Sequence, residues 1–70
     1  MDFVLREPVA GPPWELVLVR EALADGSVEY VHWLYNPETG ERINGHYHRD
    51  LPEALASFAE RLRAHREARP

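Results

Sequence analysis

The run Val28-Glu29-Tyr30-Val31-His32-Trp33-Leu34-Tyr35, then Asn36-Pro37-Glu38-Thr39-Gly40-Glu41, then Arg42-Ile43-Asn44-Gly45-His46-Tyr47-His48 decides the fold. Its first part is rich in valine and aromatic residues, which suit the pleated backbone of a strand. The Asn36–Gly40 segment reads as a loop: asparagine at the entry, proline presetting φ for a type I turn, and glycine in the left-handed exit position. Arg42 to His48 then returns as a partner strand, with Gly45 as a bulge or a point of close approach. A hairpin of strands 28–35 and 42–48 is therefore expected.

Upstream, Ala24-Asp25-Gly26-Ser27 supplies an Asp-Gly pair suited to a two-residue hairpin turn. It links the hairpin to a strand over 14–22 that is centred on Leu16-Val17-Leu18-Val19. A shorter β-prone run spans 3–7, and Pro8-Val9-Ala10-Gly11-Pro12-Pro13 separates the two by removing backbone donors and fixing φ. Downstream, Asp50 is placed to cap a helix over about 51–67, with Pro52 in its first turn and Glu53 three residues after the cap. Leu51, Leu55, Phe58, Ala59 and Leu62 recur at helical spacing, and Pro70 closes the chain. The whole of 1–70 reads as one α+β domain: a four-stranded antiparallel meander followed by one C-terminal helix packed on a face, β-β-β-β-α.

At 70 residues the chain buries only roughly 60% of its unfolded surface, and domains of that size lean on a disulfide, a metal or a partner subunit. The sequence contains no cysteine, which excludes disulfides, thiolate metal sites and cysteine nucleophiles. It contains neither a membrane-length apolar run nor a signal-peptide pattern, so a cytoplasmic location and no membrane partner are expected. All eight bases are arginine, and lysine and glutamine are absent. Plentiful Glu, Arg and Pro with few thermolabile side chains resembles a thermophilic profile, although a GC-rich genome produces the same bias. The net charge is −4, unevenly spread: residues 1–60 carry −7, and the tail with Arg61, Arg63, Arg66 and Arg69 carries +3. Such a tail complements a helix C-terminus or marks an anionic partner.

Pairing Asn36 with Glu41 sets Leu34 opposite Ile43, His32 opposite Gly45 and Tyr30 opposite Tyr47. The Asp25-Gly26 turn then adds Val17 and Val19 to that side of the sheet. The other side carries Trp14, Leu16, Leu18, Val31, Trp33 and Tyr35. One helix covers one face, and a one-residue error in register swaps the faces while leaving both apolar. The six residues are therefore the expected self-association surface of a homo-oligomer, most simply a dimer.

Chemistry-bearing residues are few. His46 and His48 share a strand face, and the expected register adds Glu29, a ligand set suited to Zn, Fe or Ni. His32 in an apolar strand reads as a core histidine with one satisfied hydrogen bond, and the spacing of Ser27, Thr39 and Ser57 places no hydroxyl beside it for a triad. Four isolated glycines form no phosphate loop, so no cofactor is expected. Arg20, Arg42 and Arg49 with Tyr47 are the residue types of a single-stranded nucleic-acid platform, joined by Trp33 and Tyr35. The order of four strands and a helix is similar to that of dimeric transcriptional coactivators that bind single-stranded DNA. Their basic ridge is replaced here by Glu15, Glu21, Glu29, Glu38 and Glu41, which with the net charge disfavours nucleic acid. The leading expectation is a small homo-oligomeric binding or accessory module, with nucleic-acid binding and metal binding as alternatives.

Overall fold

The computed structural model describes residues 1–9 and 11–67. Strands β1 (Asp2–Pro8), β2 (Glu15–Ala22), β3 (Val28–Tyr35) and β4 (Arg42–His48) precede helix α1 (Leu51–Glu67). The strands form one antiparallel sheet in the order β1-β2-β3-β4, and α1 packs on β2, β3 and β4, so β-β-β-β-α is the architecture. Ala10, Arg69 and Pro70, used above as breaker, tail charge and chain end, lie outside the described residues.

The β2–β3 register differs from expectation by one residue, and the turn is the cause. Ala24-Asp25-Gly26 makes a three-residue loop, with the Leu23 N–H donating to the Ser27 carbonyl at 2.8 Å and the Gly26 N–H to the Leu23 carbonyl at 3.0 Å. Gly26 sits at φ +89°, the left-handed position that such a loop assigns to glycine. The Asp25 carboxylate accepts from the Ser27 N–H and hydroxyl, at 2.9 and 2.6 Å, and locks the turn. Leu16, Leu18 and Arg20 consequently pair with Leu34, His32 and Tyr30, while Val17 and Val19 pair with Trp33 and Val31.

The β3–β4 loop forms as expected, with the Asn36 N–H donating to the Glu41 carbonyl at 2.8 Å. Leu34 lies opposite Ile43 as expected. A bulge then shifts the remaining pairs, so His32 faces His46 rather than Gly45, and Tyr30 faces His48 rather than Tyr47. Asn44 makes the bulge by adopting φ +57°, which its short polar side chain tolerates. Gly45 is the close approach: a Cβ there would lie 3.3 Å from the Trp33 ring and 3.3 Å from the Tyr47 ring and hydroxyl.

Both faces of the sheet are buried. Leu16 and Leu18 join Val9, Ala54 and Phe58 beneath the helix, with Trp14, Leu34, Leu51 and Leu62 around them. Val17, Val19, Val31 and Trp33 form a second cluster on the helix-free face, with Phe3 and Tyr35 packed against it. The six residues expected on one face are thus divided: Trp14, Leu16 and Leu18 lie under α1, and Val31, Trp33 and Tyr35 lie opposite. The helix-free cluster is closed within the single chain, since the three valines are fully buried and Trp33 is only 7% exposed. Phe3 and Tyr35 cover one part of it, and the Arg42 guanidinium lies 4.9 Å above the Trp33 ring.

Asp50 caps α1 through its carboxylate, which accepts the Glu53 N–H at 3.2 Å. The buried stripe is rotated from the expected one: Ala54 and Phe58 are buried, whereas Leu55 and Ala59 are exposed. Ser57 and Arg61 take inward positions on that stripe, for a reason that lies in β3.

Gly45→Ala is expected to destabilise the fold by about 1–3 kcal/mol, because the new methyl group meets the buried Trp33 ring. Urea denaturation measures this, and Asn44→Gly, which keeps the bulge conformation open to the backbone, is expected to leave the midpoint nearly unchanged.

Candidate functional site

His32 stands at the centre of β3 with no exposed surface, between Leu18 of β2 and His46 of β4. A buried imidazole needs partners for both ring nitrogens, since leaving one unmet costs about 1–3 kcal/mol. The helix supplies them one turn apart. Arg61 Nη1 donates to His32 Nδ1 at 3.0 Å and to the His32 carbonyl at 3.1 Å. A guanidinium only donates, so Nδ1 is the acceptor and the ring proton sits on Nε2. His32 Nε2–H therefore donates to Ser57 Oγ at 2.8 Å.

This chain of donors runs opposite to that of a nucleophilic serine. A general base would need its lone pair on Nε2 and an acceptor carboxylate behind Nδ1. Here the arginine behind Nδ1 holds the proton on Nε2, so Ser57 receives a hydrogen bond where a nucleophile would give one. Burial, followed by the charges of Arg61, His46 and His48, lowers the His32 pKa from 6.5 to about 4, so the ring is neutral near neutral pH. Burial also lowers the pKa of Arg61.

The expectation that no hydroxyl lies beside His32 is overturned by Ser57, which reaches it across 25 residues of sequence. The signal was present in the Ser57–Arg61 spacing of one helical turn, but a hydrophobic stripe drawn from apolar residues alone passes over both. The His46 and His48 rings pack against His32 with centroids at 4.9 and 5.4 Å. The expected metal set is not assembled: Glu29 pairs with Glu21 and alternates onto the helix-free face, away from His46 and His48. Among the described residues no three His, Asp or Glu side chains are placed to hold a metal ion.

The helix-free face presents a groove of about 390 Å³ lined by Glu21, Trp33, Arg42, Ile43, Gly45 and Tyr47. Tyr47 is 61% exposed and Ile43 40%, both on the open edge strand β4. The Trp33 Nε1–H is buried and without a protein partner among the described residues. A second groove shares Glu21 and Arg42 and extends to Tyr35 and Arg20. Of the residues expected to track a nucleic-acid strand, Arg42 and Tyr47 meet at the first groove, Arg20 joins Arg42 at the second and lies 3.6 Å from Asp2, and Arg49 is close enough to Asp25 to help lower its pKa, after the hydrogen bonds from Ser27. In the basic tail, Arg66 bonds Glu7 of β1 at 3.2 Å, and Arg61 is committed to His32.

Comparison of the chain with protein-family models, curated proteins and solved structures finds no match. No helix of the described residues is long and apolar enough to cross a membrane.

The lowered pKa of His32 sets a pH dependence of stability. As pH falls, the unfolded chain takes up the proton first, at about 6.5, and the folded chain only at about 4. The stability contribution is complete above the first value and is lost progressively between the two, about 3 kcal/mol in all. Urea midpoints measured down this window are expected to fall for the native chain. They are expected to fall less for His32→Gln, whose amide meets Arg61 and Ser57 without titrating; equal slopes would contradict the assignment.

Proposed function

We propose that the chain is a non-catalytic binding module that acts as a homo-oligomer, with its contact surface on the helix-free face and the adjoining β4 edge. The orientation of the His32–Ser57 hydrogen bond supports binding over nucleophilic catalysis, because Arg61 fixes the imidazole as a donor. The observation that carries the choice of surface is Tyr47 and Ile43, exposed on an open sheet edge beside the Trp33–Arg42 groove. An unpaired strand edge is a ready site for main-chain pairing, and exposed aromatic and aliphatic side chains beside it add area to bury.

Charge selects the partner. Glu21 and Arg42 line both grooves of this face, so the surface carries its own complement. A two-fold contact sets each acidic group of one copy against the basic group of the other. The proposed self-association surface is therefore Tyr35, Arg42 and Tyr47 with Ile43 on the β4 edge, because Trp14, Leu16 and Leu18 lie beneath the helix and Val31 and Trp33 are buried within the single chain. Nucleic acid is the weaker reading, given a net charge of −4, with Arg20 set 3.6 Å from Asp2 and Arg49 beside Asp25. A cytoplasmic setting suits a chain without cysteine, and belongs to the proposal.

Sedimentation velocity tests it. The native chain is expected to sediment as a dimer at high micromolar concentration, Tyr47→Glu as a monomer, and Arg42→Glu as a monomer restored to dimer by adding Glu21→Arg. A native chain that stays monomeric throughout overturns the proposal.

A further inference from the structure

On the opposite side of β4 from the Trp33 groove, the geometry points to a binding site for a phosphoryl group between β4 and α1, formed by Arg61, Ser57 and His46. These residues line one cleft of about 300 Å³ together with Glu60 and Ala64. Arg61 is half-buried, and its bonds to His32 use Nη1 alone. Among the described residues it has no carboxylate within ion-pair distance, unlike Arg6, Arg20 and Arg66, which pair with Glu15, Asp2 and Glu7. A guanidinium that is partly withdrawn from water and lacks a counter-charge favours an anion at its remaining donors, and its planar fork suits phosphate oxygens.

The hydrogen-bond chain through His32 orients the second donor. Ser57 Oγ accepts the His32 Nε2–H, so the serine's own hydroxyl proton is free for a group in the cleft. His46, exposed at the cleft wall and 4.9 Å from the His32 ring, adds an imidazole from the sheet side. Three donors thus approach from two elements, an arrangement that matches the several oxygens of a tetrahedral phosphoryl group better than a planar carboxylate. Glu60 is the one acidic side chain lining the cleft, and it opposes any anion there. This site is independent of the self-association surface, which lies on the other face of the sheet.

Titration of the full chain with inorganic phosphate, followed by amide and imidazole NMR shifts, tests the assignment. Sodium acetate and sodium chloride at matched ionic strength are the controls. Saturable shifts at His46, Ser57 and Arg61 with phosphate are expected, with weaker effects from acetate and none from chloride. His46→Gln, at an exposed position that leaves the Arg61–His32–Ser57 contacts in place, is expected to weaken binding about tenfold. Glu60→Gln is expected to tighten it. Equal response to acetate overturns the choice of a phosphoryl group. Absence of saturation, or affinity unchanged in both variants, overturns the site.

Discussion

The hydrogen bonds that Arg61 and Ser57 make to His32 are the constraint around which the rest of the molecule is arranged. An imidazole at the centre of a sheet, fully buried beside Leu18 and under Phe58, is tolerable only with both nitrogens met. Ser57 and Arg61 meet them from successive turns of α1, and in doing so fix how the helix is rotated about its axis. Ala54 and Phe58 then face the sheet, and Leu55 turns out to solvent. Apolar burial alone would favour turning Leu55 inward. The polar contacts select the other rotation, which is the specificity that buried polar groups supply when fully satisfied.

The seating of the helix on one face leaves the other face of the sheet to be covered separately. With α1 seated over Leu16, Leu18 and His32, the alternate residues Val17, Val19, Val31 and Trp33 must be buried by other means. The chain does this with aromatic and arginine side chains laid across the helix-free face: Phe3 and Tyr35 in contact, Arg6 4.4 Å above Phe3, and Arg42 above Trp33. Arginine stems cover apolar surface while their charged ends stay in water. With no second layer of secondary structure on that side among the described residues, these side chains close two cores around one sheet. What stays exposed is confined to the β4 edge, at Ile43 and Tyr47, together with scattered residues of β1 and α1.

Much of this was legible in the residues, and the failures have two causes. Element order, the Asn36–Gly40 loop and the Asp50 cap follow from local chemistry that does not depend on partners. Register was less legible, because Leu16-Val17-Leu18-Val19 is apolar on both faces and either register buries the same kind of surface. The decision fell to whether Ala24-Asp25-Gly26 forms a two- or three-residue loop, and to the extra residue at Asn44. Those two one-residue shifts moved Leu16 and Leu18 under the helix, and brought His46 rather than Gly45 to His32. The His32–Ser57–Arg61 cluster was invisible to apolar periodicity for the opposite reason: its inward residues are polar.

The protonation state of His32 is where this account is most directly exposed. Imidazole nitrogen shifts, recorded by long-range proton–nitrogen correlation on the folded chain, report which ring nitrogen carries the proton. The expected result is a neutral ring with the proton on Nε2, persisting as pH is lowered to about 6 and below. A proton on Nδ1, or an imidazolium at about that pH, would contradict it, since neither form can accept a hydrogen bond from Arg61.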